Sequence, residues 1–226
     1  MPRTGMNKVK DKSKLGFIHR FIPASTTSLK KNKNNLPVLL LLHGTGGNED
    51  DLIPVGKMLC QDCTLLSPRG MVIENGMPRF FRRLAEGIFD TEDLKYRTHE
   101  LADFIDKASH SYGFEMNKII AVGFSNGANI AASMFLLRPE VLSGAILFRA
   151  MVPFEPESLP DLSSKHILLS EGLHDPIVSK HEAERLFEIL KKSRSKITLK
   201  WQKLGHNLTE DDITMAKEWL TSSFVY

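Results

Sequence analysis

The chain lacks any apolar run that could cross a bilayer. Its longest, Leu36 to Leu42, covers only part of the roughly 20 residues that a spanning helix needs. The basic residues near the N-terminus are not followed by the apolar stretch of a secretory leader. A soluble, cytoplasmic protein without stable membrane insertion is the expectation. Charge of one sign is also in short supply. The formal net charge of +3 is too small for a phosphate-tracking surface. Its two basic patches, Arg3 to Lys14 and Lys30 to Lys33, have no interleaved aromatics on which bases could stack, so no nucleic-acid partner is expected. Cysteine is scarce: Cys60 and Cys63 form one C-x-x-C, without the second ligand pair of a zinc site. The pair falls where a helix gives way to a strand, and two reduced structural thiols are expected rather than a redox centre. No Pro/Gly/Ser-rich linker and no repeat divides the chain, which reads as a flexible segment, 1–14, followed by one domain, 15–226.

Short apolar runs alternate with helical patterns. Leu15 to Ile22 alternates loosely, as an edge strand does, and Lys30 to Asn35 reads as a polar turn. Pro37 to Leu42 is continuously apolar, the pattern of a strand covered on both faces of a parallel sheet. Cys63–Leu66, Lys118–Val122, Ser143–Phe148, His166–Ser170 and Lys196–Trp201 are similar. Helices are predicted over Glu92 to Tyr112, stopping at Gly113, over Lys180 to Lys192, and over Thr209 to Phe224, the last behind a capping-box-like start at Thr209–Asp212. The fold class is therefore α/β with a mostly parallel central sheet. Pro68 to Asp90 reads as a long irregular stretch, of the kind that usually serves function.

Gly123-Phe124-Ser125-Asn126-Gly127 joins the apolar run Ile119–Val122 to the small-residue run Ala128–Leu137. Strand, sharp turn and helix with serine at the apex is the context of a nucleophile elbow. Such a serine needs a base, and the base needs a group that fixes its tautomer. Asp175 lies in a Gly/Pro-flanked turn after the strand His166–Ser170, and His206 lies in a loop between Lys196–Trp201 and the last helix. Both therefore reach the rim of the sheet that carries Ser125. Glu171 and Asp161 compete for the acid's role. Among the other histidines His174 adjoins Asp175 too closely to receive its carboxylate, while His19, His99, His110 and His181 fall in edge or helical positions expected at the surface. The oxyanion hole is expected from the amide of Asn126 and that of Thr45 in the loop His43-Gly44-Thr45-Gly46-Gly47. That loop has no following Lys-Ser/Thr and no dinucleotide glycine spacing, so nucleotide binding is not expected; no cofactor and no metal are expected either.

With these motifs together, the chain resembles the α/β-hydrolase superfamily, in its small carboxylesterase/phospholipase group that includes acyl-protein thioesterases. Leu42–Leu52, Ser67–Gly70 and Glu74–Arg83 are most similar to bacterial carboxylesterases of the hydroquinone-linked type. Acyl-protein thioesterases usually carry Gln after the nucleophile, where this chain has Asn126. The resemblance implies a three-layer sandwich with little or no lid, a triad of Ser125, Asp175 and His206, and a small-molecule ester as substrate; it admits a homodimer. It also implies that Phe80, Phe81 and Arg82 in the long stretch, with Met151 and Val152 after Arg149, form the substrate pocket. The expected activity is serine carboxylesterase acting on small esters through an acyl-enzyme, the alternative being a thioesterase or lysophospholipase for long acyl chains, with a non-catalytic binding role disfavoured by the complete triad.

Overall fold

A computed structural model describes residues 15–25 and 36–224; the expected flexible segment 1–14 and the polar turn Lys30–Asn35 lie outside them. Seven strands form one sheet: β1 (His19–Ile22), β2 (Val38–Leu42), β3 (Thr64–Pro68), β8 (Ile119–Phe124), β9 (Gly144–Phe148), β10 (His166–Gly172) and β11 (Lys196–Gln202). Their spatial order is β1-β3-β2-β8-β9-β10-β11, with β1 antiparallel to β3 and every other pair parallel.

Alternation along each strand divides the core in two. In β2, Leu40 and Leu42 join Leu66, Ala121, Leu147 and Leu169 on one face, packed against α2 (Thr91–Tyr112), α3 (Asn126–Leu137) and α4 (Lys180–Lys192). Leu39 and Leu41 join Val122, Ile146 and Leu168 on the other, against α1 (Ile53–Leu59) and α5 (Glu210–Ser223). This is the three-layer arrangement, and continuous apolar strands are its requirement because both faces are covered. Helix ends follow local chemistry. Asp90 accepts from the Asp93 N–H at the start of α2, and Gly113 ends it in the left-handed region (φ 72°). Thr209 and Asp212 form a reciprocal capping box at the start of α5.

Three expectations are corrected. Pro68–Asp90 is not irregular: it holds two hairpins, β4 (Val72–Glu74) with β5 (Met77–Arg79) and β6 (Arg83–Ala85) with β7 (Ile88–Phe89). The first turns at Asn75–Gly76, both at positive φ, the geometry that an Asn-Gly pair favours between strands. Three-residue strands, one containing Pro78, are too short to show a period. Cys60 and Cys63 are not free thiols but a disulfide. The chain reverses directly after α1, with the Cys63 N–H donating to the Cys60 carbonyl, and the Cα atoms come within 5.4 Å, a bridging distance. His19 is buried rather than at the surface, because its ring bonds the Phe17 carbonyl (2.8 Å) and the Tyr112 hydroxyl (2.7 Å).

Candidate active site

The parallel register sets the carboxyl ends of the central strands level. Phe124 of β8 pairs with Phe148 of β9, Phe148 with Ser170 of β10, and Gly172 with Gln202 of β11. The next residues along each strand therefore meet at one rim. Ser125 stands at the first of these ends, at φ 52° and ψ −114°, a conformation that costs an L-residue of order 1–3 kcal/mol unless its surroundings impose it. They do so here by close approach. A Cβ on Gly127 would stand 2.0 Å from the Leu42 carbonyl oxygen, and one on Gly123 2.7 Å from the Ala128 backbone. The Ser125 N–H donates to the Phe148 carbonyl (2.9 Å), tying the turn to the neighbouring strand.

His206 Nε2 lies 2.9 Å from Ser125 Oγ, and His206 Nδ1 lies 2.8 Å from Asp175 Oδ2. The Asp175 carboxylate is wholly buried and accepts through Oδ1 from the Ile177 and Val178 amides (2.8 and 3.0 Å), which fixes its orientation toward the ring. Serine, imidazole and carboxylate thus form one hydrogen-bonded chain. Its polarity lets the imidazole take a proton from the hydroxyl while the carboxylate stabilises the resulting charge. Glu171 and Asp161 take no part. Glu171 is buried and accepts from the Ala150 N–H (2.8 Å), while exposed Asp161 accepts from the Ser163 N–H (2.9 Å). Burial pushes the Glu171 carboxyl well above the usual carboxylate range, against the opposing pull of the Ala150 amide and Arg149.

Opposite these three residues, the loop after β2 carries Thr45. Among the described residues neither its amide nor that of Asn126 donates to another group, so both remain available to an oxygen atom above Ser125. The loop is held from below and from the side. His43 bonds the Gly44 carbonyl through Nδ1 (2.7 Å) and accepts from the Gly70 N–H at Nε2 (2.9 Å), which makes it the neutral Nδ1–H tautomer. Burial lowers the His43 pKa, and nearby Arg69 lowers it further. The Gly46 N–H donates to the Pro78 carbonyl (2.9 Å), and Arg79 Nη1 donates to Thr45 Oγ1 (2.6 Å).

A cavity of about 350 Å³ opens over Ser125. Its wall includes Met151 from the expected pocket set, together with Phe89, Phe124, Asn129, Ile177 and Val178. Phe80, Phe81, Arg82 and Val152 do not line it. Phe80 and Phe81 are buried beneath the hairpins, Phe80 against the His43 ring and Phe81 edge-on to Phe89. The Phe80 N–H donates to Asn126 Oδ1 (2.7 Å), so this segment fastens the hairpins to the elbow. Arg82 points outward and pairs with Asp90 and Asp93. Val152 packs into the core. Besides Phe89, the hairpin residues that face the cavity are Arg79, Arg83, Glu86 and Gly87. The Asn75–Gly76 pair was the sequence signal that could have found the first hairpin, and with it Arg79. Among the described residues no cluster of His, Cys, Asp or Glu has the makings of a metal site, and no helix is long and apolar enough to cross a membrane.

The family model for phospholipases and carboxylesterases matches residues 25–224. The hydrolase MhqD of Bacillus subtilis (strain 168) is 48% identical over 188 residues, which span 83% of this chain and 94% of that one. A Bacillus cereus carboxylesterase of solved structure superposes with a TM-score of 0.89 at 46% identity, covering 94% of this chain and 97% of the other. Acyl-protein thioesterase 1 of Cryptococcus neoformans is 24% identical over 217 residues, 87% of each chain.

Proposed function

Because the chain belongs to the phospholipase/carboxylesterase family of α/β-hydrolases and is an enzyme acting on carboxylic esters, we propose that it hydrolyses small esters through an acyl-enzyme on Ser125. The hydrogen-bonded chain Ser125–His206–Asp175, at 2.9 and 2.8 Å, carries this reading. His206 Nε2 takes the Ser125 proton as Oγ attacks the ester carbonyl, and the Thr45 and Asn126 amides receive the negative charge that develops on its oxygen. His206 then gives the proton to the departing alcohol. A water molecule, deprotonated by His206, attacks the acyl carbon and releases the acid, and the proton returns to Ser125. Asp175 keeps the Nδ1–H turned toward itself throughout.

The size of the cavity favours a compact substrate. About 350 Å³ is near the lower end of the 300–1,000 Å³ typical of ligand pockets. The second reading, a thioesterase or lysophospholipase for long acyl chains, draws on Ile177, which lines the cavity and is exposed, and on Leu84 and Ile88, exposed on the hairpin that carries Arg83 and Phe89, which could extend an apolar path. A p-nitrophenyl ester series decides between them: kcat/KM should peak at short acyl chains, whereas a steady rise to palmitate would transfer the proposal to the long-chain reading. Ser125→Ala should lower kcat by on the order of 10⁶-fold and abolish fluorophosphonate labelling. Labelling that persists in this variant removes Ser125 as the nucleophile.

A further inference from the structure

Arg149, the residue after β9, is wholly buried and holds a left-handed backbone (φ 57°) without being glycine. A guanidinium has five N–H bonds in a fixed plane, and here all five are used. Nε donates to the Gly205 carbonyl (2.9 Å). Nη1 donates to the Ser170 carbonyl (3.1 Å) and Asp212 Oδ1 (3.0 Å). Nη2 donates to the Asn207 carbonyl (2.9 Å) and Asp212 Oδ2 (2.7 Å). Gly205 and Asn207 are the residues on either side of His206.

We infer that Arg149 is the positioning residue of the general base, its guanidinium gripping the chain before and after His206 so that the ring meets Ser125 and Asp175 together. The His206 loop is irregular and Leu204 and Asn207 are exposed; its Leu204 carbonyl accepts from the His174 N–H (3.3 Å), while the backbone bonds directly on either side of His206 come from the guanidinium. Asp212 completes the device. It neutralises the guanidinium, accepts from Ser170 Oγ (2.7 Å), and as the capping residue of α5 bonds the Thr209 N–H and hydroxyl, so the clamp is anchored in a helix. The same short segment serves the nucleophile, because the Phe148 carbonyl accepts the Ser125 N–H. One strand end thereby sets the distance between nucleophile and base. Lysine could not replace Arg149: its ammonium is a point donor without the planar fork that reaches three carbonyls and a carboxylate at once.

The inference rests on His206 being the general base, and its test separates the two. Arg149→Met/Asp212→Asn removes both buried charges together, so neither is left uncompensated. With the fold intact by circular dichroism, kcat on p-nitrophenyl acetate and the rate of fluorophosphonate labelling should fall on the order of 100-fold while KM stays nearly unchanged, the signature of a displaced catalytic group rather than lost binding. The downfield imidazole proton resonance of the His206–Asp175 hydrogen bond should broaden or vanish in this variant and persist in Ser125→Ala. Arg149→Lys, which keeps the charge beside Asp212, should show the same losses and carries both readouts should the double variant not fold. Wild-type protein inert to esters and fluorophosphonate would refute the hydrolase reading, and the proton resonance would still decide the clamp. A resonance and a labelling rate at wild-type level in the folded double variant, or full activity in Arg149→Lys, would overturn it.

Discussion

The two walls of the cavity are built differently. The wall with His206 hangs from the ends of β9, β10 and β11, where Arg149 and Asp212 have no exposure and every guanidinium N–H is engaged. The wall with the Thr45 loop rests on two short hairpins, whose Ile73, Leu84 and Ile88 are more than half exposed (63%, 74% and 57%). Under the proposed mechanism, chemistry that tolerates little displacement would thus be bound into the core, while the surface that meets the variable part of a substrate would be carried on locally folded pieces. Loops on a rigid scaffold commonly divide the work in this way.

The largest test sets one substitution both in the packed core beneath Ser125 and on a hairpin. Gly127→Ala drives a Cβ into the Leu42 carbonyl, and Gly87→Ala meets nothing within 4 Å and suffers only its positive φ of 72°. Urea unfolding should show a loss of about 3 kcal/mol or more for the first and about 1 kcal/mol for the second. Equal losses would erase the distinction.

A smaller effect separates the walls by pH. Burial raises the native pKa of Glu171 well above its unfolded value, so as pH rises through the carboxylate range the unfolded chain releases this proton first and stability falls. In the His43–Gly47 loop the sign is reversed. Burial lowers the native pKa of His43, so as pH drops below about 6.5 the unfolded chain gains the proton first and stability falls on the acid side. Glu171→Gln should therefore raise the melting temperature more at about pH 8 than at about pH 5; an equal gain at both would show that Glu171 is not held neutral. The smallest effect belongs to the hairpin tip. Leu84→Ser with Ile88→Ser should leave stability within about 0.5 kcal/mol while changing KM across the ester series.

The two walls also differed in how far they could be read from sequence. Continuous apolar strands, the glycines around Ser125 and the turns after late strands are local signatures, and they led to the sheet, the elbow and the rim. Arg149 could be seen only as a residue near a strand end, because nothing local says that a charge will be buried. Its partner Asp212 lies 63 residues away, where it reads as an ordinary helix cap. The hairpins were obscured by their short strands. Phe80 and Phe81 illustrate a related ambiguity: aromatic residues in a loop beside a site serve equally well as pocket lining or as packing, and here they pack. The disulfide escaped because spacing alone does not reveal how sharply the chain reverses after α1.

The start of α3 directly after Ser125 has an electrostatic consequence. The peptide dipoles of this 12-residue helix align along its axis, equivalent to about half a positive elementary charge at the end beside Asn126. Negative charge gathering on an ester oxygen above Ser125 would form in that field. The field is set when the protein folds, so the core that strains the serine backbone also provides a standing potential for the intermediate.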